Sequence, residues 1–117
     1  MTERFTSWHF PYVPIRVSVQ QREVALEALV DTGFDGGLAV PPAFITNGET
    51  PDGYLPWTLA DGRQVLLPAY RGIVQLGSFP PFPTVVIPLG DEPIVGRQVS
   101  DRFRVVLDHG QQVVVEP

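Results

Sequence analysis

The residues best suited to chemistry form one short run. Asp31-Thr32-Gly33 follows the apolar Ala28-Leu29-Val30 and precedes Phe34-Asp35-Gly36-Gly37 and a second apolar run, Leu38-Ala39-Val40, ahead of Pro41. A strand of this kind ends in the interior, so its last residue is a carboxylate delivered to the edge of a core, where rigid scaffolds hold reactive groups. In a tight turn Asp31 can accept hydrogen bonds from backbone N–H groups. Gly33 permits positive φ and close approach of another backbone, and Thr32 supplies both a donor and an acceptor. A lone carboxylate is a weak catalyst. Two held together cannot both ionise easily, so one pKa falls and the other rises, giving a base and an acid at one pH. The ionised member can polarise a water while the protonated member donates, and the pair titrates as a unit. The chain carries one such motif, so a second Asp31 would have to come from a second copy across a two-fold axis. Taken alone, Asp-Thr-Gly also suits an ordinary turn.

The elements that would position Asp31 can be read in order. Met1 to Pro11, polar and aromatic by turns, is expected to be a loose arm able to pack on a partner. Residues 12–117 are read as a single domain. Tyr12 to Gln20 alternates, with Val13, Ile15, Val17 and Val19 on one face and Arg16, Ser18 and Gln20 on the other, which predicts a half-buried strand. Gln20 to Glu23 turns the chain, and Val24 to Val30 returns to deliver Asp31. Leu38 to Val40 is a short buried strand. Pro41-Pro42 opens a brief helix through Ala43, Phe44 and Ile45 that stops near Asn47-Gly48. Tyr54 to Ala60 and Arg63 to Tyr70 flank Asp61-Gly62 as a hairpin. Gly72 to Leu76 reads as a further strand. Phe79 to Pro83, too proline-rich for a central strand, reads as a rigid connection. Thr84 to Ile87 and Ile94-Val95 are β-forming, and Arg97 to Arg102 suits one or two helical turns. Val105 to Leu107 and Val113 to Val115 flank the turn Asp108-His109-Gly110. Val113 to Val115 is apolar on both faces, and such an edge tends to be paired.

Three parts of this pattern resemble the retropepsin-like aspartic proteases: Leu29-Val30-Asp31-Thr32-Gly33, Pro93-Ile94-Val95-Gly96-Arg97, and Leu59-Ala60-Asp61-Gly62 where the family carries its flap hairpin. Phe34, Gly36, Leu38, Pro41 and Pro42 are similar to a bacterial and archaeal branch that reads Asp-Thr-Gly-Phe and then a Leu-x-x-Pro-Pro run. The resemblance covers most of the chain, from about Ile15 to Glu116. It implies an all-β, closed barrel-like acid-protease fold with one or two short helices and one lobe per chain. It implies a homodimer with Asp31 as the catalytic acid, supported by Thr32, Gly33, Phe34, Asp35, Gly96 and Arg97. Thr32 would link the two loops across the axis, and Asp35 would pair with Arg97; the other reading of that pair is two unrelated surface charges. Phe34 stands where better-known members carry Ala or Ser, so a ring beside the acid would desolvate it or narrow the cleft. Trp57, Leu59, Ala60, Asp61, Gly62 and Arg63 would cover an extended substrate, the alternative being an ordinary exposed hairpin. In the family the chain ends build the dimer sheet, a role open to the terminal strand here.

Bulk composition narrows the classes. The chain has 117 residues, is 44% hydrophobic, and has a mean hydropathy of +0.08, so it can bury a core. A net charge of −5 and a pI near 4.8 argue against nucleic acid. The absence of cysteine excludes disulfides and thiolate metal sites. His9 and His109 lack ligand-like spacing, so neither a metal nor another cofactor is expected. No signal peptide or membrane span is visible, which predicts a cytoplasmic protein. The leading expectation is an aspartic-type endopeptidase acting on a protein or peptide. The alternatives are a catalytically silent dimeric peptide-binding module of the same fold and an unrelated small β-barrel.

Overall fold

The computed structural model describes residues 3–45 and 49–117. Its strands, in chain order, are β1 (Phe5–Ser7), β2 (Tyr12–Val19), β3 (Arg22–Val30), β4 (Leu38–Val40), β5 (Gly53–Thr58), β6 (Gln64–Leu76), β7 (Phe82–Pro88), β8 (Ile94–Val95), β9 (Arg104–Asp108) and β10 (Gln112–Glu116). One helical turn, α1 (Arg97–Ser100), follows β8, and a 3₁₀ turn spans Pro42–Phe44.

Six strands form a closed barrel in the order β2-β3-β8-β4-β7-β6, with β6 pairing back onto β2; β5 hangs on the outer part of β6. Closure leaves these six strands no free edge. Alternation drives the first wall: Val13, Ile15, Val17 and Val19 of β2 are buried while Arg16 is exposed. β2 and β3 meet through Gln20 and Gln21, both at positive φ (54° and 60°), the geometry that suits the twist of a two-residue hairpin. The turn is therefore shorter than the expected Gln20–Glu23. β4 is buried at all three of its residues, because it runs parallel to β7 and antiparallel to β8 in the middle of the sheet.

Several elements depart from the expectations. The proposed loose arm contains β1, which pairs with β10 through Phe5↔Val115 and Ser7↔Val113. Gly72 does not break a strand: β6 is continuous and changes partners along its length, from β5 to β7 and β2. A Cβ at Gly72 would lie 2.9 Å from Val86 Cγ2 and 3.0 Å from the Ser18 carbonyl oxygen, so this glycine marks close packing of neighbouring strands. β7 begins at Phe82, and Pro83 sits near its start opposite Ile73, so only Phe79–Pro81 is the connection. The helix after Pro41 is the 3₁₀ turn alone; its expected stop at Asn47-Gly48 lies outside the described residues.

A second, three-stranded sheet has the order β1-β10-β9. Val113 and Val115 of β10, Val99 of α1 and the barrel residues Val13, Leu38, Val86 and Val95 share one buried cluster. Phe103 joins it, 5.0 Å from Phe79 and 6.0 Å from Phe82 between ring centroids. Arg102 covers the Phe82 ring at 4.2 Å, a cation–π contact. β10 has a neighbour from its own chain on each side, so among the described residues the open edges of this sheet belong to β1 and β9. Among the described residues no helix is long and apolar enough to cross a membrane.

Leu38 is fully buried where β4 meets both β7 and β8. Leu38→Ala is expected to destabilise the protein by about 2–5 kcal/mol, read from the urea midpoint at unchanged m-value.

Candidate active site

β3 and β8 run parallel, with Leu29 opposite Ile94 and Val30 opposite Val95. The Leu29 N–H donates to the Pro93 carbonyl at 2.9 Å and the Asp31 N–H to the Val95 carbonyl at 3.0 Å. The backbone of Asp31 is thus fixed by the ladder, while its half-buried side chain lies just beyond it. Asp31 Oδ1 accepts the Gly33 N–H at 2.9 Å, and the Phe34 N–H donates to the Asp31 carbonyl at 3.3 Å. Gly33 is not among the glycines at positive φ. Its role is the close approach, since a Cβ there would stand 3.2 Å from Asp31 Oδ1.

The loop after Asp31 is held by the chain on either side of Gly96. The Gly96 N–H donates to the Gly37 carbonyl (2.8 Å), the Arg97 N–H to the Phe34 carbonyl (2.8 Å) and the Gln98 N–H to the Gly36 carbonyl (3.0 Å). A Cβ on Gly96 would collide with the Gly36 carbonyl oxygen and stand 2.6 Å from Phe34 Cδ2. The Val95-Gly96 step therefore brings two backbones into direct contact, which explains a glycine after an apolar pair. Gly36 and Gly37 are equally confined: a Cβ on Gly36 would lie 2.5 Å from Phe34 Cζ and 2.6 Å from Trp57 Cη2, and one on Gly37 would lie 2.6 Å from the Val85 carbonyl oxygen. The adjacent pair Gly36-Gly37 is the sequence signal for this contact.

The hairpin of β5 and β6 reaches the same loop. Phe34 and Trp57 lie 5.3 Å apart between ring centroids at 46°. Both pack against the buried cluster of Ala39, Ala69 and Ile87. The Trp57 indole N–H is buried without a hydrogen-bond partner among the described residues. At the hairpin tip the Gly62 N–H donates to the Leu59 carbonyl at 2.9 Å, so Ala60 and Asp61 are the central turn residues and Gly62 (φ 86°) follows them. The expected Asp61-Gly62 centre is thus displaced by one residue. Asp61 accepts the Arg63 N–H (3.0 Å) and Arg63 Nε (2.7 Å). These bonds, the backbone one foremost, hold its carboxyl below the usual range.

The expected Asp35–Arg97 pair is not formed within the chain. Arg97 Nε stands 3.7 Å from Asp101 Oδ2 one helical turn away, and among the described residues no ion pair joins Asp35 to Arg97. The backbone of Arg97 supports the loop; its side chain faces solvent. Thr32 is exposed and lines a groove of about 230 Å³ with Val30, Ser100, Phe103, Val105 and Leu107.

No protein-family model matches the sequence, and no curated protein matches it. Among solved structures, the crystal structure of a retropepsin-like aspartic protease from Rickettsia conorii is similar, with a TM-score of 0.62 at 13% identity over 99% of this chain and 92% of that one. The all-β barrel described above is a retropepsin-like fold.

Two outcomes test this geometry. Gly96→Ala should destabilise the protein by about 1–3 kcal/mol, because its obstacle is backbone that cannot step aside; urea unfolding measures it. The unfolded carboxyl of Asp61 titrates near about 3.9, and its folded value lies lower, so its support for the turn is present above that pH and is lost as pH falls through the folded value. Carboxyl NMR titration should show the low midpoint, and Arg63→Ala should return it upward.

Proposed function

We propose that the chain is an aspartic endopeptidase that works as a homodimer on an extended peptide segment, with Asp31 from each copy forming one catalytic pair. The observation that carries this reading is the seat of Asp31. It is half-buried at the end of β3, tied by the Val95 carbonyl and the Gly33 N–H, in a retropepsin-like fold. On this reading the substrate is a cytoplasmic protein, and Thr32 links the two loops across the axis.

The chemistry follows from two carboxyl groups sharing a proton. The ionised Asp31 takes a proton from a water lying between the acids as the water oxygen attacks the scissile carbonyl carbon. The protonated Asp31 gives its proton to the carbonyl oxygen, and a gem-diol forms. The C–N bond then breaks as a proton passes to the leaving nitrogen, yielding a carboxyl and an amine. No covalent enzyme intermediate is required. The hairpin carrying Trp57, Leu59, Ala60, Asp61, Gly62 and Arg63 acts as a lid that excludes water and aligns the peptide.

One observation favours a second reading, a dimeric module that holds a peptide without cutting it. Trp57 already rests against Phe34 beside the Asp31 loop, so the hairpin must lift before a peptide can enter there.

Cleavage of a diverse peptide library from about pH 4 to about pH 8 tests both readings beside Asp31→Asn. The amide keeps the shape and loses the ionisation, so this variant should stay folded and dimeric while cleavage falls by roughly 10²–10⁴-fold or more. Cleavage by the variant at the wild-type rate would refute the paired-acid mechanism. No cleavage by a wild-type protein shown to be dimeric supports the binding module.

A further inference from the structure

The hairpin of β2 and β3 shapes a second concave site, at the end of the barrel away from Asp31. Its inner face follows from the register: Ile15 lies opposite Leu26, Val17 opposite Val24 and Val19 opposite Arg22. Directly opposed residues share a face of the sheet, so Arg22 stands in line with the apolar residues that look into the barrel. The other charges of this hairpin keep to the outer face, where Arg16 and Glu23 pair at 3.0 Å. Arg22 is the exception, and among the described residues it makes no ion pair. Its Nη2 instead donates across the barrel mouth to the carbonyl of Phe44, the last residue of the 3₁₀ turn.

Behind this contact lies a cavity of about 290 Å³, walled by Val17, Val19, Val24, Leu26, Val40 and Phe44, with Arg22 at its rim. Val17, Val19 and Val40 are buried, and Val24, Leu26 and Phe44 pack against the same cluster, so the walls belong to the core. Glu23 also reaches the rim, but its carboxylate is already held by Arg16. An apolar space offers water few hydrogen bonds, and its lining lacks the dispersion contacts that an apolar occupant would supply. A cavity of about 150 Å³ is enough to hold benzene, and this one is about twice that size.

The mouths of β-barrels are favoured ligand sites, where apolar walls give affinity and a few polar groups fix orientation. Here the polar group is a guanidinium, whose fork matches a carboxylate. It carries five N–H groups, so it can take a carboxylate while still holding Phe44. We propose that the barrel mouth binds a medium-chain carboxylate, with the tail in the valine-lined cavity and the head group on Arg22. This is not the cleft of the preceding subsection. Arg22 opens the nine-residue β3 and Asp31 follows its last residue, which puts them about 30 Å apart along the strand. The inference therefore stands whether or not the chain cleaves peptides.

Methyl NMR of the full chain, titrated with octanoate, tests it. Octanoate should shift the methyls of Val17, Val24 and Val40 saturably, and octanol should bind roughly tenfold more weakly for want of the charged hydrogen bond. Arg22→Gln should bring octanoate down to the octanol level and leave octanol binding unchanged, while Arg22→Lys should keep the preference for the acid. The unchanged octanol affinity separates loss of the charge from collapse of the cavity. Val24→Phe, which fills the space, should abolish binding of both, and the Arg22 variants, at an exposed position, carry the test independently of that substitution. Octanoate that shifts no methyl of the cavity, octanol binding as tightly as octanoate, or an equal loss of both ligands in Arg22→Gln would overturn the inference. So would an acid preference that survives Arg22→Gln.

Discussion

The site depends on a contact with no side chains in it. The backbone at Gly36-Gly37 lies directly against the backbone at Gly96, joined by hydrogen bonds from Gly96, Arg97 and Gln98. A Cβ at any of the three glycines would collide with a neighbour. This contact fixes the loop that begins at Asp31 to the turn that begins α1. The position of the carboxylate is therefore set by backbone geometry on both sides of the barrel sheet, and rotamer freedom is confined to its last two bonds. Such a support holds a reacting group more tightly than surface ion pairs could, since those contribute little and are screened.

Much of this was legible in the sequence, for identifiable reasons. Period-two alternation over Val13 to Val19 and the apolar run into Asp31 specified the hairpin and the delivery of the acid, because half-buried strands write their burial into every second residue. The strand at Leu38 to Val40 was legible for a different reason, as a short unbroken apolar run that is buried at every residue. What failed was partner choice. Gly72 looked like a break because a glycine that admits a neighbouring strand and one that ends a strand are the same letter. The arm contained β1 because its three residues gain their stability from Val113 to Val115, more than a hundred positions away. Within one chain the Arg97 side chain stands nearest to Asp101, four residues along, rather than to Asp35.

Phe34 joins the site to the hairpin. Its ring touches the space that a side chain at Gly36 would need, it approaches Gly96, and it packs against Trp57. The unpartnered indole N–H within that packing is a cost of about 1–3 kcal/mol for a buried donor, and a peptide carbonyl or a water could relieve it. Aromatic packing thus favours the seated hairpin while the unsatisfied donor opposes it. In the proposed lid, the balance between the two would govern access to Asp31.

The continuity of β6 gives that movement a mechanical form. Gln64 to Ala69 pairs with β5, whereas Tyr70 to Val74 is bonded into the barrel wall beside β7. The hairpin is a cantilever: its root is clamped in the barrel, and its free span begins near Ala69. The clamp is reinforced at that point, since the Asp52 N–H donates to the Ala69 carbonyl at 2.9 Å and the Asp52 carboxylate accepts the Arg71 N–H at 2.8 Å. If the hairpin acts as the proposed lid, a beam so fixed would lift its tip by bending along its length, and the stiffness of the span from Gln64 to Ala69 would set how far Trp57 travels. Load at the tip is carried into the wall at Tyr70 and Gly72, where β7 and β2 bear it.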